Sequence, residues 1–301
     1  MAKQRPGQKV STAEEGAGIA IRLMREKGFD IDYPEPVVDM DQHIKELKDL
    51  EERAMLEHYS SAKNSVLECL REEKRTGLSS GIYQTVQIDL TYNSNRIEGS
   101  GITHEQTQHI FEASTVDLED EAVSVDDIVE TANHFRCIDY IIDNANRPIT
   151  EHMIKHLHEL LKNGTSDSRK SWFAVGDYKK LPNEVGGKAT IAPENVAHFL
   201  VGLIERYENS KAKTLEDLVE FHYEFESIHP FQDGNGRVGR LLLFKECLRH
   251  NIVPFIIEDK NKMYYYRGLS QWEEEKGFLL GTCLSAQDDF KASLDYFDIP
   301  Y

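Results

Sequence analysis

Cations are in short supply in this chain: 35 lysines and arginines stand against 53 aspartates and glutamates, a formal charge of -18 over 301 residues. Affinity for a phosphate backbone rests on clustered cations, so this balance argues against a nucleic-acid binder. Any nucleotide must be held locally, against an unfavourable overall field. Cysteine is equally sparse. The four thiols (Cys69, Cys137, Cys247, Cys283) lie far apart and form no Cys-x-x-Cys pair. That fits scattered reduced thiols better than a disulfide framework or a zinc site. No stretch approaches the roughly 20 apolar residues of a membrane span, and no apolar run follows the basic residues of Met1 to Gln8, as a signal peptide would require. The expectation is a soluble, cytoplasmic protein with neither nucleic acid nor membrane as its partner.

What the chain does have is helical periodicity. Ala17 to Lys27 reads as a helix stopped by Gly28, and Pro34 and Pro36 mark a connector. From Asp39 to about Thr76 an uneven apolar stripe (Ile44, Leu47, Leu50, Leu56, Tyr59, Val66, Leu70) predicts a charge-rich helical stretch through which two copies of the chain could associate. The break Thr76-Gly77-Leu78-Ser79-Ser80-Gly81 divides an N-terminal helical region, 1–80, from a second part, 81–301. There a helix is expected over 82–99, ended by Gly99, with others capped by Thr103, Ser124 and Thr150. Residues 164–192 break the rhythm with glycines, Pro182 and β-branched residues, and predict an extended flap or hairpin. Helices are then expected at roughly 194–208, 214–228, 235–250, 262–275 and 277–296. The acidic stretch Asp117 to Asp127 reads as a solvated loop. His152, His156 and His158 lack the adjacent glutamate of a metalloprotease helix and read as core or solvated histidines.

Residues 229–240, His-Pro-Phe-Gln-Asp-Gly-Asn-Gly-Arg-Val-Gly-Arg, carry most of the chemistry. His229-Pro230 ends one amphipathic helix, and Gly234-Asn235-Gly236 opens the next. Free N–H groups and the helix dipole at such a start attract an anion. Arg237 and Arg240 share a face of the first turn, where cations oppose the dipole, and a bound polyphosphate would reverse that penalty. Asp233 offers carboxylate oxygens to Mg²⁺ just before the turn. The His229 imidazole has the right basicity to take a hydroxyl proton. Gly234-x-Gly236-x-x-Gly239 also spells a dinucleotide fingerprint, but a helix precedes it where a strand is required.

With these residues the chain resembles the Fic family of nucleotidyl-transferring enzymes, whose signature His-x-Phe-x-Asp/Glu-Gly-Asn-Gly-Arg-x-x-Arg is met at every fixed position. The resemblance covers residues 82 to about 275. It implies an all-α fold, a Fic-type helical core with a short β-hairpin flap, to which the N-terminal helical region is added. It also implies transfer of AMP from ATP to a Ser, Thr or Tyr hydroxyl of a target protein. His229 would then be the general base and Asp233 the Mg²⁺ ligand. Gly234, Asn235 and Gly236 would form the anion hole, with Arg237 and Arg240 on the outer phosphates.

Three further segments resemble the family. Tyr178 to Gly187 is similar to the flap that clamps a target's backbone, with Val185, Gly186 and Gly187 near the nucleotide. Tyr265 and Tyr266 resemble a pair lining the adenine pocket, although Glu273 stands where some relatives carry an asparagine. Ser94-Asn95-Arg96-Ile97-Glu98-Gly99 resembles the family's inhibitory pattern, in which Glu98, with Ser94 one turn earlier, would pair with Arg240. A carboxylate in the last turn of a helix also meets the negative end of the dipole, and so wants a cation from elsewhere. Two other readings stand beside AMP transfer: removal of AMP by a hydrolase that uses Glu98, and a non-catalytic nucleotide-sensing module.

Overall fold

The computed structural model describes residues 65–116, 122–210 and 212–301. Ten α-helices are found among them: α1 (Ser65–Thr76), α2 (Ile82–Ile97), α3 (His104–Ala113), α4 (Val125–Asp143), α5 (Glu151–Lys162), α6 (Val196–Asn209), α7 (Leu215–Ile228), α8 (Asn235–Arg249), α9 (Lys262–Ser270) and α10 (Gly277–Tyr296). The only sheet among the described residues is a hairpin of β1 (Glu184–Val185) and β2 (Lys188–Ala189). The all-α expectation with a small hairpin is what the structure has. The helices read in Ala17 to Lys27 and Asp39 to Asn64, and residues 117–121 of the acidic stretch, lie outside the described residues.

Helix α8 is the axis of the fold, packed against α2, α4, α5 and α7. Each of its residues from Asn235 to Leu248 is buried, charged ones included. An all-round buried helix cannot show an amphipathic stripe. Around it one core takes in Leu70, Val86, Ile138, Leu157, Phe225, Leu242 and Leu279 among others. Helix α1 lies before the Thr76–Gly81 break and still places Val66, Leu67 and Leu70 in that core. A smaller cluster of Ile102, Ile110 and Phe135, with Ile128 and Ala132 against it, seats α3 on α4.

Capping sets the helix ends. Thr103 and Gln106 form a reciprocal capping box, and Thr150 Oγ1 accepts from Met153 N at 3.1 Å. Ser124 occupies the N-cap position of α4 without a side-chain cap bond. The expected helix over 82–99 closes at Ile97, in a Schellman arrangement. Ser100 N donates to Asn95 O and Gly99 N to Arg96 O, both at 3.1 Å, with Gly99 at φ +96°. The helix expected over 262–275 stops at Ser270. The chain turns there so that α9 and α10 can cross closely, since a β-carbon at Gly268 would lie 2.7 Å from Leu279 Cα. Asp126 and Asp127 correct the solvated-loop expectation: they form the first turn of α4, where Asp126 Oδ1 accepts from Ser166 N and Asp127 Oδ2 from Gly101 N, each at 2.8 Å.

Several imidazoles are sealed in this packing. His158 stacks on Phe231 with ring centroids 4.0 Å apart and accepts from Gly176 N at 3.0 Å. His134 meets Thr91 Oγ1 at 2.9 Å and His222 meets Tyr265 Oη at 2.7 Å. Burial is the leading cause holding all three down to about 3, from an ordinary value of 6.5. An unfolded chain therefore binds protons on these groups between pH 6.5 and 3 while the folded chain does not. Stability is lost as pH falls through that window, at up to about 1.4 kcal/mol per pH unit for each imidazole. Urea unfolding at pH 7.5 and pH 5.5 should show a lower midpoint at the acid end. An unchanged midpoint would show that the three rings charge as easily folded as unfolded.

Candidate active site

Two left-handed residues shape the turn between α7 and α8. His229 ends α7 at φ +51°, and Gly234 precedes α8 at φ +83°. A β-carbon at Gly234 would also press on Leu161 Cδ2 at 3.3 Å, so glycine suits both the angle and the space. A histidine in this region, immediately before a proline, is strained by about 1–3 kcal/mol and must be held by its surroundings. His229 N donates to Phe225 O at 3.0 Å, and Lys179 N donates to Pro230 O at 2.9 Å. Asn235 braces the same turn. Its Oδ1 accepts from Phe231 N at 2.8 Å and its Nδ2 donates to Phe231 O at 2.9 Å. The residue expected in the anion hole thus uses its side chain to hold the turn.

The mouth of α8 faces the end of α2. Arg240, 4% exposed, donates through Nη2 to Glu98 Oε1 at 2.8 Å and to Ser94 O at 2.8 Å, and through Nε to Ser94 Oγ at 3.0 Å. A β-carbon at Gly236 would overlap Glu98 Oε1, so this carboxylate lies directly against the first turn of α8. Burial works against the Arg240 charge, but Glu98 more than offsets it and the pKa is raised. Ser94, Glu98, Gly236 and Arg240 are thus one cluster. Beneath them Glu226 Oε1 is buried without a hydrogen-bond partner. Burial raises that carboxyl to about 8, with Arg240 opposing and Glu98 adding.

Asp233 and Arg237 belong to a second cluster. Lys162 Nζ reaches Asp233 Oδ2 at 2.7 Å and Asp167 Oδ2 at 3.0 Å, and also pairs with Glu130. Arg237 pairs with Glu130 through Nη1 and reaches Asp233 Oδ2 at 3.1 Å through Nη2. Burial pushes Asp233 upward, but Arg237 and Lys162 outweigh it and hold its pKa below the usual carboxylate range. Arg237 was expected on the outer phosphates; here it is committed to Glu130 and Asp233.

Burial also dominates at His229, lowering it to about 4. Lys179 adds to the effect, while the Glu226 carbonyl, Glu98 and Asp233 oppose it. The imidazole is neutral throughout the physiological range and able to accept a proton.

The flap runs beside this turn. Leu181 N donates to Gln232 Oε1 at 3.2 Å, and Asn183 Nδ2 to Phe231 O at 3.1 Å. Its tip is a two-residue hairpin with Gly186 and Gly187 at φ +57° and +77°, the pair of positive angles a type I′ turn requires. Val185 is exposed, and nothing among the described contacts brings it, Gly186 or Gly187 to the α8 mouth. The two tyrosines part company. Tyr265 is 1% exposed and offers no face to a base, with its ring 5.8 Å from the Arg240 guanidinium. Expected beside adenine, Tyr265 packs as a core residue in this structure. Tyr266 is 41% exposed and donates to Ile97 O at 2.9 Å. Glu273 accepts from Tyr223 Oη at 3.0 Å.

Sequence reasoning missed Glu130, Lys162, Lys179 and Glu226. Lys162 sits in the last turn of α5, where a lysine complements the helix dipole and so looks ordinary. Lys179 is hidden in a Lys-Lys pair that reads as surface.

Comparisons with known proteins point to one family of folds. Residues 148–246 match the Fic/DOC family. The chain is 30% identical over 186 residues to the protein adenylyltransferase Fic of Aedes aegypti, covering 60% of this chain and 36% of that protein. It is likewise 30% identical over 184 residues to the Drosophila melanogaster protein of the same name, covering 59% and 36%. The chain thus spans little more than a third of the length of these curated relatives. Among solved structures, a Fic-domain-containing signalling protein from Bacteroides thetaiotaomicron superposes with a TM-score of 0.61 at 23% identity, over 76% of this chain and 94% of that one. Fic-1 from C. elegans (residues 134–508) gives 0.61 at 16% identity, over 95% and 98%. The fold is that of Fic-domain proteins, and the Fic/DOC match falls on residues 148–246, which include the turn between α7 and α8.

Lys162 is the cation on which the second cluster turns. Replacing one partner of a buried charge network strands the others at a cost of about 3–5 kcal/mol. Lys162→Met should lower unfolding stability by that amount in a denaturant titration at pH 7. A change below 1 kcal/mol would mean that Arg237 alone satisfies Glu130 and Asp233.

Proposed function

We infer that this protein is an adenylyltransferase that moves AMP from ATP to a Ser, Thr or Tyr hydroxyl of a protein, and that Glu98 restrains it. The observation that carries the reading is the juxtaposition at the α8 mouth. A neutral imidazole stands one turn of chain from a helix start whose anion position is taken by the Glu98 carboxylate. A carboxylate bound there by Arg240 stands in for what the mouth is built to hold, a phosphate oxygen. The names of the relatives give the same class of reaction.

In this reading ATP binds with its phosphates across the start of α8, where main-chain N–H groups and the Arg240 guanidinium meet negative charge. His229 Nε2 or Nδ1 takes the proton of the incoming hydroxyl. The oxygen then attacks the α-phosphorus, the bond to the β-phosphate's bridging oxygen breaks, and pyrophosphate leaves. Positioning and fixed positive potential supply most of the acceleration. Asp233 fits a Mg²⁺ ligand: it is a half-exposed hard oxygen donor kept ionised by its neighbours. The ion would neutralise charge between adjacent phosphates. Arg237 and Lys162 orient that carboxylate.

Glu98 and a terminal phosphate of ATP compete for Arg240, so the carboxylate restrains the reaction while it stays paired. The target is a protein whose hydroxyl-bearing segment lies beside the flap, and the chain itself is one candidate. The cytoplasm, where ATP is abundant, is the proposed compartment; no helix among the described residues is long and apolar enough to cross a membrane.

Incubation with α-labelled ATP and Mg²⁺ tests both parts. Glu98→Gly should raise covalent label on protein at least about tenfold, and His229→Ala in that background should lower it by about 10²–10⁴-fold, the usual worth of a general base. Nucleotide that binds reversibly and never becomes covalent in the Glu98→Gly protein would favour a sensing module instead. Label unchanged by Glu98→Gly would place the restraint elsewhere.

A further inference from the structure

Lys179 is 3% exposed and meets no carboxylate within ion-pair distance among the described residues. A buried ammonium without a counter-charge is costly. Its three donors all go to neutral oxygens: Asn183 Oδ1 at 2.7 Å, Thr190 Oγ1 at 2.6 Å and Ile228 O at 3.5 Å. Asn183 and Thr190 are the two feet of the hairpin, joined to each other by Thr190 N donating to Asn183 O at 3.2 Å. Ile228 precedes His229. The main-chain N–H of Lys179 donates to the carbonyl of Pro230, the residue after His229. One lysine therefore grips the chain on both sides of a strained histidine and, with the same ammonium, both legs of the flap.

The geometry points to Lys179 as the positioning residue for His229, holding its left-handed backbone in place and making the imidazole's orientation depend on the seating of the flap. A bond to each flanking carbonyl leaves His229 little freedom to relax into the extended conformation preferred before proline. The link also runs the other way: a target segment that draws the hairpin closer pulls on Asn183 and Thr190, and through Lys179 on residues 228–230. The charge matters as well as the bonds. The ammonium, lowered to about 8 by burial, remains largely protonated at neutral pH. Facing the imidazole are Lys179 from the flap, Glu98 from the end of α2, Asp233 from the turn and the Glu226 carbonyl from α7. Lys179 is the cation in that set.

The kinetic part of this inference rests on the transfer reaction proposed above; the structural part does not, and is read on nucleotide-free protein. With histidine selectively labelled for NMR, Lys179→Gln should shift the His229 Cα and Cβ resonances away from left-handed values and speed amide exchange at residues 184–189. Lys179→Arg should restore both. In the Glu98→Gly background, Lys179→Gln should lower kcat by roughly 10²-fold, the cost of small misplacement of a catalytic group, with KM for ATP within about twofold. Arginine should recover most of the loss. Unaltered His229 resonances and kcat in folded Lys179→Gln would overturn the proposal. So would a flap that loosens while His229 stays as it was. Should the glutamine variant fail to fold, Thr190→Val keeps the charge and removes one anchor. Flap exchange and His229 resonances must then change together, and a change in one alone overturns the link. Failure of all covalent labelling would sink the transfer reading and leave the resonance result standing.

Discussion

A guanidinium sealed inside a protein must face an anion, and Arg240 is such a group. It sits in the first turns of a helix with no exposed residue before Arg249, where the dipole offers it nothing. Two charges could balance it: a phosphate from outside or a carboxylate from the chain. The structure shows the second. Glu98, 142 residues earlier, supplies the carboxylate, and Ser94 supplies two further acceptors from the same helix face. The position of α2 against α8, the stop at Gly99 and the glycine at 236 all serve this one pairing. A side chain at 236 would displace the carboxylate.

A second electrostatic problem is solved one turn away by a different device. Arg237 and Lys162 are both buried, and they share Glu130 and Asp233. The two networks divide the arginines of the motif. Arg237 pairs with two carboxylates, Glu130 and Asp233, while Arg240 holds a carboxylate that belongs to a solvent-facing helix end, 29% exposed.

Much of this was legible in the sequence. Helix starts were marked by Thr103 and Thr150, whose hydroxyls act on residues three further along, and the glycine-rich stretch before residue 192 announced the hairpin. The motif at 229–240 is contiguous, so its residues are necessarily neighbours; an anion at the wrong end of a helix called for a cation from elsewhere, and the family resemblance named Arg240. The remainder depends on contacts between distant segments. Glu130 lies on a face of α4 that the apolar stripe Ile128, Ala132 and Phe135 does not mark, because that stripe packs under α3 instead. Lys162 is disguised by its favourable place at a helix end. Tyr265 and Tyr266 are indistinguishable as letters, yet their side chains leave α9 about 100° apart, one into the core and one toward α2. Helix α8 carries arginines and a Lys-Glu pair in its interior, so hydrophobicity could not report its burial.

The end of α2 is fastened by bonds that do not involve Glu98. Asp259 N donates to Asn93 Oδ1 at 2.9 Å, Tyr266 Oη donates to Ile97 O at 2.9 Å, and the Gly99 reversal ties off the last carbonyls. Pulling the whole segment away would break several such bonds at about 1 kcal/mol each, together with the packing of Ile97. Rotating one glutamate about its own torsions breaks only its link to the guanidinium, and partly exposed side chains change rotamer in picoseconds to nanoseconds. In the function proposed above, the gate on this helix mouth is a swinging arm on a fixed post, and competition for a single cation decides what occupies the mouth, with no need for the scaffold to move.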